Sequence, residues 1–279
     1  MLNGHDIISI GSDPRNDICC DLTREIPQLP DDLRPDLVIH AAGTDDPEIA
    51  IDLNLEGTRR LLHALDRNPP RHLLFLSCWS VYSPDAGLQA DESTPTWAVG
   101  KVGQSKALAE AAIEKWCEAH PDTILTILRP ATMFGNDMKG WATEMFDDVV
   151  AGRYIHVRGN EAAISAVTAY DVARAAMTLY PKGGIYNISD GRDYSYIDLA
   201  DAMSANAGAM KRMTHLPPKW ASLAWKTARW IPAVARSLNP EVLDRRSRTL
   251  TLSNAKALRA GCSFLDTGAV LRREIKIEN

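Results

Sequence analysis

Short apolar runs that alternate with helical patterns are the feature of this sequence that most limits its fold. Continuous apolar runs are typical of strands that are buried on both faces of a sheet. They recur through the first half of the chain, at Ile7–Ile10, Ile18–Cys20, Leu37–His40, Leu73–Ser77 and Thr123–Leu128. Between them, Asp52–Arg67 and Val102–Glu118 carry leucine and alanine at helical spacing. We therefore predict an α/β protein with a doubly wound parallel sheet, whose ligand crevice lies at the carboxyl ends of the strands.

The later part of the chain has a different pattern, mostly helical and interrupted by prolines. Such a change indicates a second, smaller domain that folds over the edge of the sheet. We expect residues 1–135 with 162–190 to form the sheet domain. Residues 136–161 with 191–279 are expected to form the smaller, mostly helical domain that holds the substrate.

Composition excludes several classes of function. The net charge of -5 and the pI near 5.8 provide no broad basic surface for nucleic acid. No apolar run reaches the roughly 18 residues of a membrane-spanning helix, and the N-terminus does not have the pattern of a secretion signal. We expect a cytoplasmic protein that contacts neither nucleic acid nor a membrane.

The cysteines and histidines show no metal-binding pattern. The five cysteines are an odd set without a CxxC pair, and the seven histidines are scattered singly. We expect reduced thiols and no metal site.

A series of short motifs falls at the predicted strand ends and helix starts. In chain order the motifs are Asp36–Gly43, Asn54–Thr58, Leu74–Tyr82, Ser105–Glu110, Leu128–Gly135, Val167–Ala173 and Ile185–Ser189. Each one alone is weak, but their order and spacing are specific. Over nearly the whole chain they resemble the extended short-chain dehydrogenase/reductase family of the NAD-dependent epimerase/dehydratase type.

The resemblance implies a Rossmann-like fold that binds NAD or NADP and a small-molecule substrate. It implies that Ser80 and Thr132 contact the substrate. The implied cofactor-binding residues are Asp13, Asp21, Leu22, Ala41, Ala42, Gly43, Asn54, Lys106 and Ala131. Arg15 beside Asp13 leaves the choice between NAD and NADP open, because an acid favours a ribose hydroxyl and an arginine favours a 2'-phosphate.

The sequence departs from the family pattern at the implied catalytic residues. Lys106 is present, but the position four residues earlier, where the family has its active tyrosine, is Val102. The family's hydroxyl residue corresponds to Cys78, and a thiol is a poorer hydrogen-bond donor than serine or threonine. Thr132 stands where the family has an asparagine. Cys78 as a new nucleophile is the bolder hypothesis, and a buried inert cysteine is the expectation because no histidine base is placed beside it.

The glycine-rich loop that cradles the cofactor's pyrophosphate is also lacking, since the sequence has no GxxGxxG. Met1–Ile10 resembles the stretch that follows this loop, so we expect about thirty residues, a first strand with its loop and helix, to be absent. In the family that strand lies between the second and the fourth. Three explanations of the missing strand are open. The natural chain starts further upstream, or the second strand closes up against the fourth, or a partner chain fills the gap.

Three hypotheses about function remain open. The first is a protein of nucleotide-sugar or related small-molecule metabolism whose hydride chemistry is lost or weakened. The second is an active NAD(P)-dependent oxidoreductase or epimerase whose sequence continues upstream of Met1. The third is a cofactor-free isomerase or cyclase, or a noncatalytic partner subunit. The helices over Asp52–Arg67 and Val102–Glu118 resemble those of the family's dimers, so a homodimer or a heterodimer with a related protein is expected.

The segment Lys219–Trp230 combines three tryptophans with lysine and arginine and contains no acidic residue. A membrane surface or a hydrophobic partner is one interpretation of such a segment. A helix of the substrate domain is preferred, because the tryptophans do not fall on one helical face.

Overall fold

The computed structural model describes residues 4–135, 140–206, 213–220 and 239–273. The strands in these ranges are β1 (Ile10–Gly11), β2 (Ile18–Cys19), β3 (Leu37–His40), β4 (His72–Leu76), β5 (Gly87–Ala90), β6 (Ile124–Pro130), β7 (Thr132–Phe134), β8 (Ile155–Val157), β9 (Ala163–Thr168), β10 (Gly184–Ile188), β11 (Asp193–Ser195), β12 (Thr214–Leu216) and β13 (Leu250–Leu252). The helices are α1 (Thr58–Leu65), α2 (Lys101–Ala119), α3 (Trp141–Val150), α4 (Ala169–Leu179), α5 (Tyr196–Asn206), α6 (Pro240–Ser247), α7 (Ala255–Arg259) and α8 (Thr267–Leu271). The predicted α/β fold with parallel strands is confirmed.

The main sheet is parallel and runs in the order β10-β6-β4-β3. Its central strands are apolar on both faces because each face carries a buried cluster. Leu74 and Leu128 pack in the cluster on one face, while Phe75 and Ile127 pack in the other, beneath α2. Alternate residues of a strand point to opposite faces, which explains why these runs show no polar alternation.

The first predicted crossover helix, Asp52–Arg67, is not a regular α-helix throughout. It begins as a π-helical segment over Ile51–Gly57 and becomes α-helical only at Thr58. Thr58 Oγ1 donates a hydrogen bond to the carbonyl oxygen of Asn54 at 2.6 Å, inside this widened turn. The second crossover helix, α2, agrees closely with the predicted Val102–Glu118.

One edge of the main sheet is open among the described residues. β3 pairs only with β4, and Ile39 in β3 is 41% exposed. β1 pairs with β2 in a separate two-stranded sheet. The hypothesis that the second strand of the family closes up against the fourth is therefore wrong, because β1 forms no ladder with β3.

A second sheet, in the order β11-β9-β13-β5 with β7 beside β9, was not predicted. Its strands are short and come from distant parts of the chain: Leu250 of β13 pairs with both Gly87 and Ile164. These strands come from stretches assigned to both predicted domains, and the domain division itself stays a prediction. None of the helices in the described ranges is long and apolar enough to cross a membrane. Residues 221–238, most of the tryptophan-rich segment, lie outside the described residues.

Candidate active site

Lys106 lies at the centre of the implied site, on the second turn of α2. Its side chain is buried, and Nζ donates a hydrogen bond to the carbonyl oxygen of Leu76 at 2.9 Å, where β4 ends. Nζ also lies 4.9 Å from the centre of the Phe75 ring. Burial lowers the pKa of Lys106, against the smaller raising effect of Cys78 and Glu110. The amine is thus held inside the protein by a backbone carbonyl and a ring face.

Gly43 and Asn54, two of the residues implied to bind the cofactor, lie beside this amine. A Cβ atom on Gly43 would lie 2.7 Å from Lys106 Nζ, so any larger residue would displace the lysine. Asn54 is fully buried, and its Oδ1 accepts from the backbone N–H of Thr44 at 2.8 Å. Its Nδ2 donates to Thr44 O at 3.0 Å and to Ser105 Oγ at 2.9 Å. The polar atoms of Asn54 therefore join the loop after β3 to α2.

His40, which the sequence did not single out, lies beneath the site at the end of β3. Its Nε2 is 2.7 Å from Thr58 Oγ1. Because Thr58 Oγ1 already donates its only proton to Asn54 O, Nε2 must be the donor in this hydrogen bond. Burial and then the Lys106 charge lower the pKa of His40 to about 3. The ring is neutral at physiological pH and bears its proton on Nε2.

Cys78 follows β4 and leads into a 3-10 turn over Trp79–Val81. Its Sγ lies 2.9 Å from Ser80 Oγ, so these two predicted site residues contact each other. Burial raises the pKa of Cys78, against the lowering effects of the Lys106 charge and the hydrogen bond to Ser80. A protonated thiol does not support the hypothesis of a new nucleophile. The neighbouring Ser77 Oγ is buried without a partner among the described residues.

Val102 stands at the N-terminal end of α2, where this helix packs against the turn after β4. The packing is close at Gly103, since a Cβ there would lie 2.1 Å from the carbonyl oxygen of Ser80. The helix therefore brings position 102 beside the turn that begins at Cys78. The Val102 side chain is partly buried and is purely hydrocarbon, so it can neither accept nor release a proton.

Ala131 and Thr132 follow β6, so they lie at the carboxyl-end edge of the main sheet, as Cys78 does after β4. The Ala131 N–H donates to the carbonyl oxygen of Ile188 at 2.8 Å. Thr132 is buried at the start of β7 and pairs with Ala166 in the second sheet. These residues connect the strand end to the second sheet.

The family model of the NAD dependent epimerase/dehydratase family matches residues 2–189. The chain belongs to this family. Among curated relatives, an N-acetyl-alpha-D-glucosaminyl-diphospho-ditrans,octacis-undecaprenol 4-epimerase of Escherichia coli O157:H7 is 26% identical over 152 residues, which are 54% of this chain and 44% of the relative. A UDP-glucose 4-epimerase of Yersinia pestis is 27% identical over 73% of this chain and 76% of its own length. The match thus spans less than half of the first of these relatives.

Solved structures of other proteins share the fold at low identity. The UDP-glucose 4-epimerase of Thermotoga maritima, solved with UDP-glucose, superposes with a TM-score of 0.67 at 19% identity, over 85% of this chain and 75% of that one. RMD from Pseudomonas aeruginosa, complexed with NADPH, gives a TM-score of 0.66 at 20% identity, over 91% and 85%. These matches establish the extended short-chain dehydrogenase/reductase fold of this family member.

The residues implied to bind adenosine lie in the loops of the two-stranded sheet that β1 and β2 form. Arg15 binds Asp13 at 2.6 Å, which lowers the pKa of this exposed carboxyl. Asp21 accepts hydrogen bonds from the hydroxyl and backbone N–H of Thr23, which lower its pKa. Leu22 is buried. Both carboxylates already have partners in their own turns, and their roles in cofactor binding stay predictions.

The described residues alone do not fit a whole dinucleotide. A pyrophosphate needs backbone N–H groups presented by a glycine-rich loop at a helix N-terminus. Between Gly4 and Gly135 no such loop lies beside β3. The exposed Ala41 and half-buried Ala42 lead from β3 to Gly43, where Lys106 Nζ lies against the glycine.

A buried ionic network, also missed at the sequence level, fixes α2 against the strand ends. Arg129 Nη2 and Nε bind the two carboxylate oxygens of Glu110 at 2.5 and 3.0 Å. Arg129 Nη1 donates to the hydroxyl of Tyr82 at 3.0 Å, and that hydroxyl donates to Asn187 Oδ1 at 2.8 Å. Tyr82 is therefore fully engaged in the core and does not substitute for the missing phenol.

Proposed function

We propose that this protein acts in nucleotide-sugar or related small-molecule metabolism and that its family's hydride chemistry is lost or greatly weakened. The observation that carries the proposal is Val102, which the packing of α2 places beside the turn after β4 without any acid–base group. The curated relatives described above are named as epimerases of a UDP-sugar and of a sugar linked to a polyprenyl diphosphate. These names support the substrate class.

Oxidation of a sugar hydroxyl requires a base to take the hydroxyl proton while hydride leaves the carbon. A well-placed general base typically contributes about 10²- to 10⁴-fold to such a step. Lys106 is a poor replacement, because its amine is buried and already donates to Leu76 O. The Cys78 thiol has a raised pKa, which does not favour a thiolate base. The loss of the tyrosine is therefore uncompensated by either of these two neighbours.

The test restores the two altered groups with Val102→Tyr and Cys78→Ser in one variant. Conversion of UDP-glucose to UDP-galactose with added NAD⁺, and NADH binding by fluorescence, are measured for the variant and the unchanged protein. We expect no turnover from the unchanged protein and a gain in the double variant if cofactor binds. Leu108→Tyr, which adds a phenol at a position of α2 that is 49% exposed, is the matched control and should gain nothing.

Turnover by the unchanged protein at a rate typical of enzymes, on the order of 1 s⁻¹ or more, would contradict the proposal. A double variant that binds NADH but remains inactive would show that the substrate side, including Thr132, has diverged as well.

A further inference from the structure

Lys106 is a buried amine to which the proposed function gives no role. The position four residues earlier on α2 is Val102, so the amine has no phenol to activate. Its one hydrogen bond in the part of the chain that the structure describes goes from Nζ to the carbonyl oxygen of Leu76 at 2.9 Å. That bond uses a proton on the nitrogen, so the lone pair of the neutral amine stays free to attack a carbonyl carbon.

The surroundings of Nζ do not favour the protonated form. Glu110, the buried acid on the same helix, gives both carboxylate oxygens to Arg129 at 2.5 and 3.0 Å. The two groups against Nζ, a carbonyl oxygen and a ring face, carry no negative charge. Burial lowers the pKa of Lys106, against the smaller raising effects of Cys78 and Glu110. More of this amine is therefore neutral near pH 7 than of an ordinary surface lysine, which is almost wholly protonated.

Ser77 places an unpartnered hydroxyl on the same side of the main sheet. Its backbone N–H donates to the carbonyl oxygen of Leu128 at 2.8 Å, which extends the pairing of β4 with β6 by one residue. Because alternate residues of a strand point to one face, Ser77 points to the face of Phe75, beneath α2, where Nζ lies 4.9 Å from the ring centre. Ser77 is 3% exposed, and its Oγ has no hydrogen-bond partner among the described residues. Such a hydroxyl is available to a polar group of a bound molecule.

The space around Nζ limits the size of a reaction partner. A Cβ atom on Gly43 would lie 2.7 Å from Nζ and 3.0 Å from Asn54 Oδ1. An aldehyde, with only hydrogen as the second substituent of its carbonyl carbon, therefore fits beside Nζ better than a ketone. We propose that Lys106 forms an imine with a small hydroxy aldehyde, whose hydroxyl group binds Ser77 Oγ. This activity goes beyond the proposed function, because it needs neither hydride transfer nor a cofactor.

Imine formation at Lys106 is a condensation without oxidation or reduction. The nitrogen lone pair attacks the carbonyl carbon, the electron pair of the C=O bond moves to oxygen, and that oxygen takes up one proton from the nitrogen. The nitrogen of the resulting carbinolamine then expels the hydroxyl group, which leaves as water with the second proton of the nitrogen. One amine and one aldehyde thus give one imine and one water.

The test traps the imine by reduction. The unchanged protein is incubated at pH 7 with glycolaldehyde and sodium cyanoborohydride, which leaves a hydroxyethyl group on each reacted lysine, and peptide mass spectrometry locates the label. Lys101, exposed on the same helix and paired with Glu48 at 3.3 Å, is the internal control. We expect Lys106 to react about tenfold faster than Lys101 or more, since each unit by which a lysine pKa falls makes the free amine about tenfold more abundant. The rate at Lys106 should also saturate with glycolaldehyde concentration, as binding before reaction requires.

Ser77→Ala tests the contact with the hydroxyl group. This variant should slow the labelling of Lys106 by glycolaldehyde about 3- to 10-fold, the contribution of one neutral hydrogen bond. Propionaldehyde has the same chain length but a methyl group in place of the hydroxyl, so it should label the variant and the unchanged protein at the same rate. Ser77→Ala should melt no lower than the unchanged protein, because Oγ has no partner to lose among the described residues.

Two results would overturn the proposal. One is that glycolaldehyde labels Lys106 no faster than Lys101 in the unchanged protein, a measurement that needs no variant to fold. The other is that Ser77→Ala changes the labelling by glycolaldehyde and by propionaldehyde to the same extent, as a purely structural effect would. Trapping requires neither NAD nor turnover of a sugar nucleotide, so its failure would leave the proposed loss of hydride chemistry untouched.

Discussion

Acid should destabilise this protein in part through the buried imidazole of His40. Burial and the Lys106 charge lower its pKa from 6.5 to about 3 in the folded protein. In the unfolded chain the ring has its ordinary pKa near 6.5, so below that pH the unfolded state binds a proton that the folded state does not. The corresponding stability is fully present above pH 6.5 and is lost as the pH falls towards 3. Each pH unit costs about 1.4 kcal/mol, hence about 2 kcal/mol between pH 6.5 and pH 5.

The assay is urea denaturation followed by circular dichroism at pH 7, 6 and 5, for the unchanged protein and for His40→Gln. The glutamine amide is able to donate to Thr58 Oγ1 as Nε2 does, but it does not titrate. The variant's free energy of unfolding should therefore depend less on pH, by about 2 kcal/mol between pH 6.5 and pH 5. His5→Gln, which removes an exposed imidazole, is the control. Parallel curves for His40→Gln and the unchanged protein would refute the reasoning, and so would an NMR titration in which His40 protonates near pH 6.

Two substitutions test the packing that holds α2 against the sheet. Gly103→Ala should lower the free energy of unfolding by about 1–3 kcal/mol in urea melts, because its Cβ meets a backbone oxygen at 2.1 Å, while Gly100→Ser has open space and should change little. Glu110→Gln should cost about 3–5 kcal/mol by leaving Arg129 buried without its counter-charge. Glu56→Gln, at a more exposed helix pair, should cost less than about 0.5 kcal/mol, and equal losses for the two glutamate variants would contradict the assignment.

The main sheet and α2 could be predicted because their signals are local and repeated. An uninterrupted apolar run such as that of β6, followed by helical spacing, leaves few alternatives. The second sheet could not be predicted in this way. β13 has three residues, and its pairing partners Gly87 and Ile164 are far from it in the chain, so the ladder depends on tertiary contacts.

The sequence predicts which residues lie in the site better than it predicts the hydrogen bonds that they form. Motif order implied a shared cofactor site for Gly43, Asn54 and Lys106, and the structure brings these three residues together beside the loop after β3. What motif order could not show is that the polar atoms of Asn54 bind the protein's own backbone and Ser105. His40 was missed because a histidine that ends an apolar strand has no distinctive pattern. Its neutral state results from burial and from the Lys106 charge, which only the folded structure reveals.

The hydrogen bonding of the buried polar groups at the strand ends determines which changes this part of the fold tolerates. Lys106 Nζ donates to the carbonyl oxygen of Leu76, and Ser77 Oγ, a neutral hydroxyl, is buried without a partner among the described residues. Leaving a neutral group unpaired costs about 1–3 kcal/mol, a modest fraction of a net stability of about 5–15 kcal/mol. Glu110→Gln would instead leave the buried charge of Arg129 unmatched, at a cost of about 3–5 kcal/mol. We therefore expect the strand ends to tolerate the loss of a neutral hydrogen bond far better than the loss of the Glu110 carboxylate.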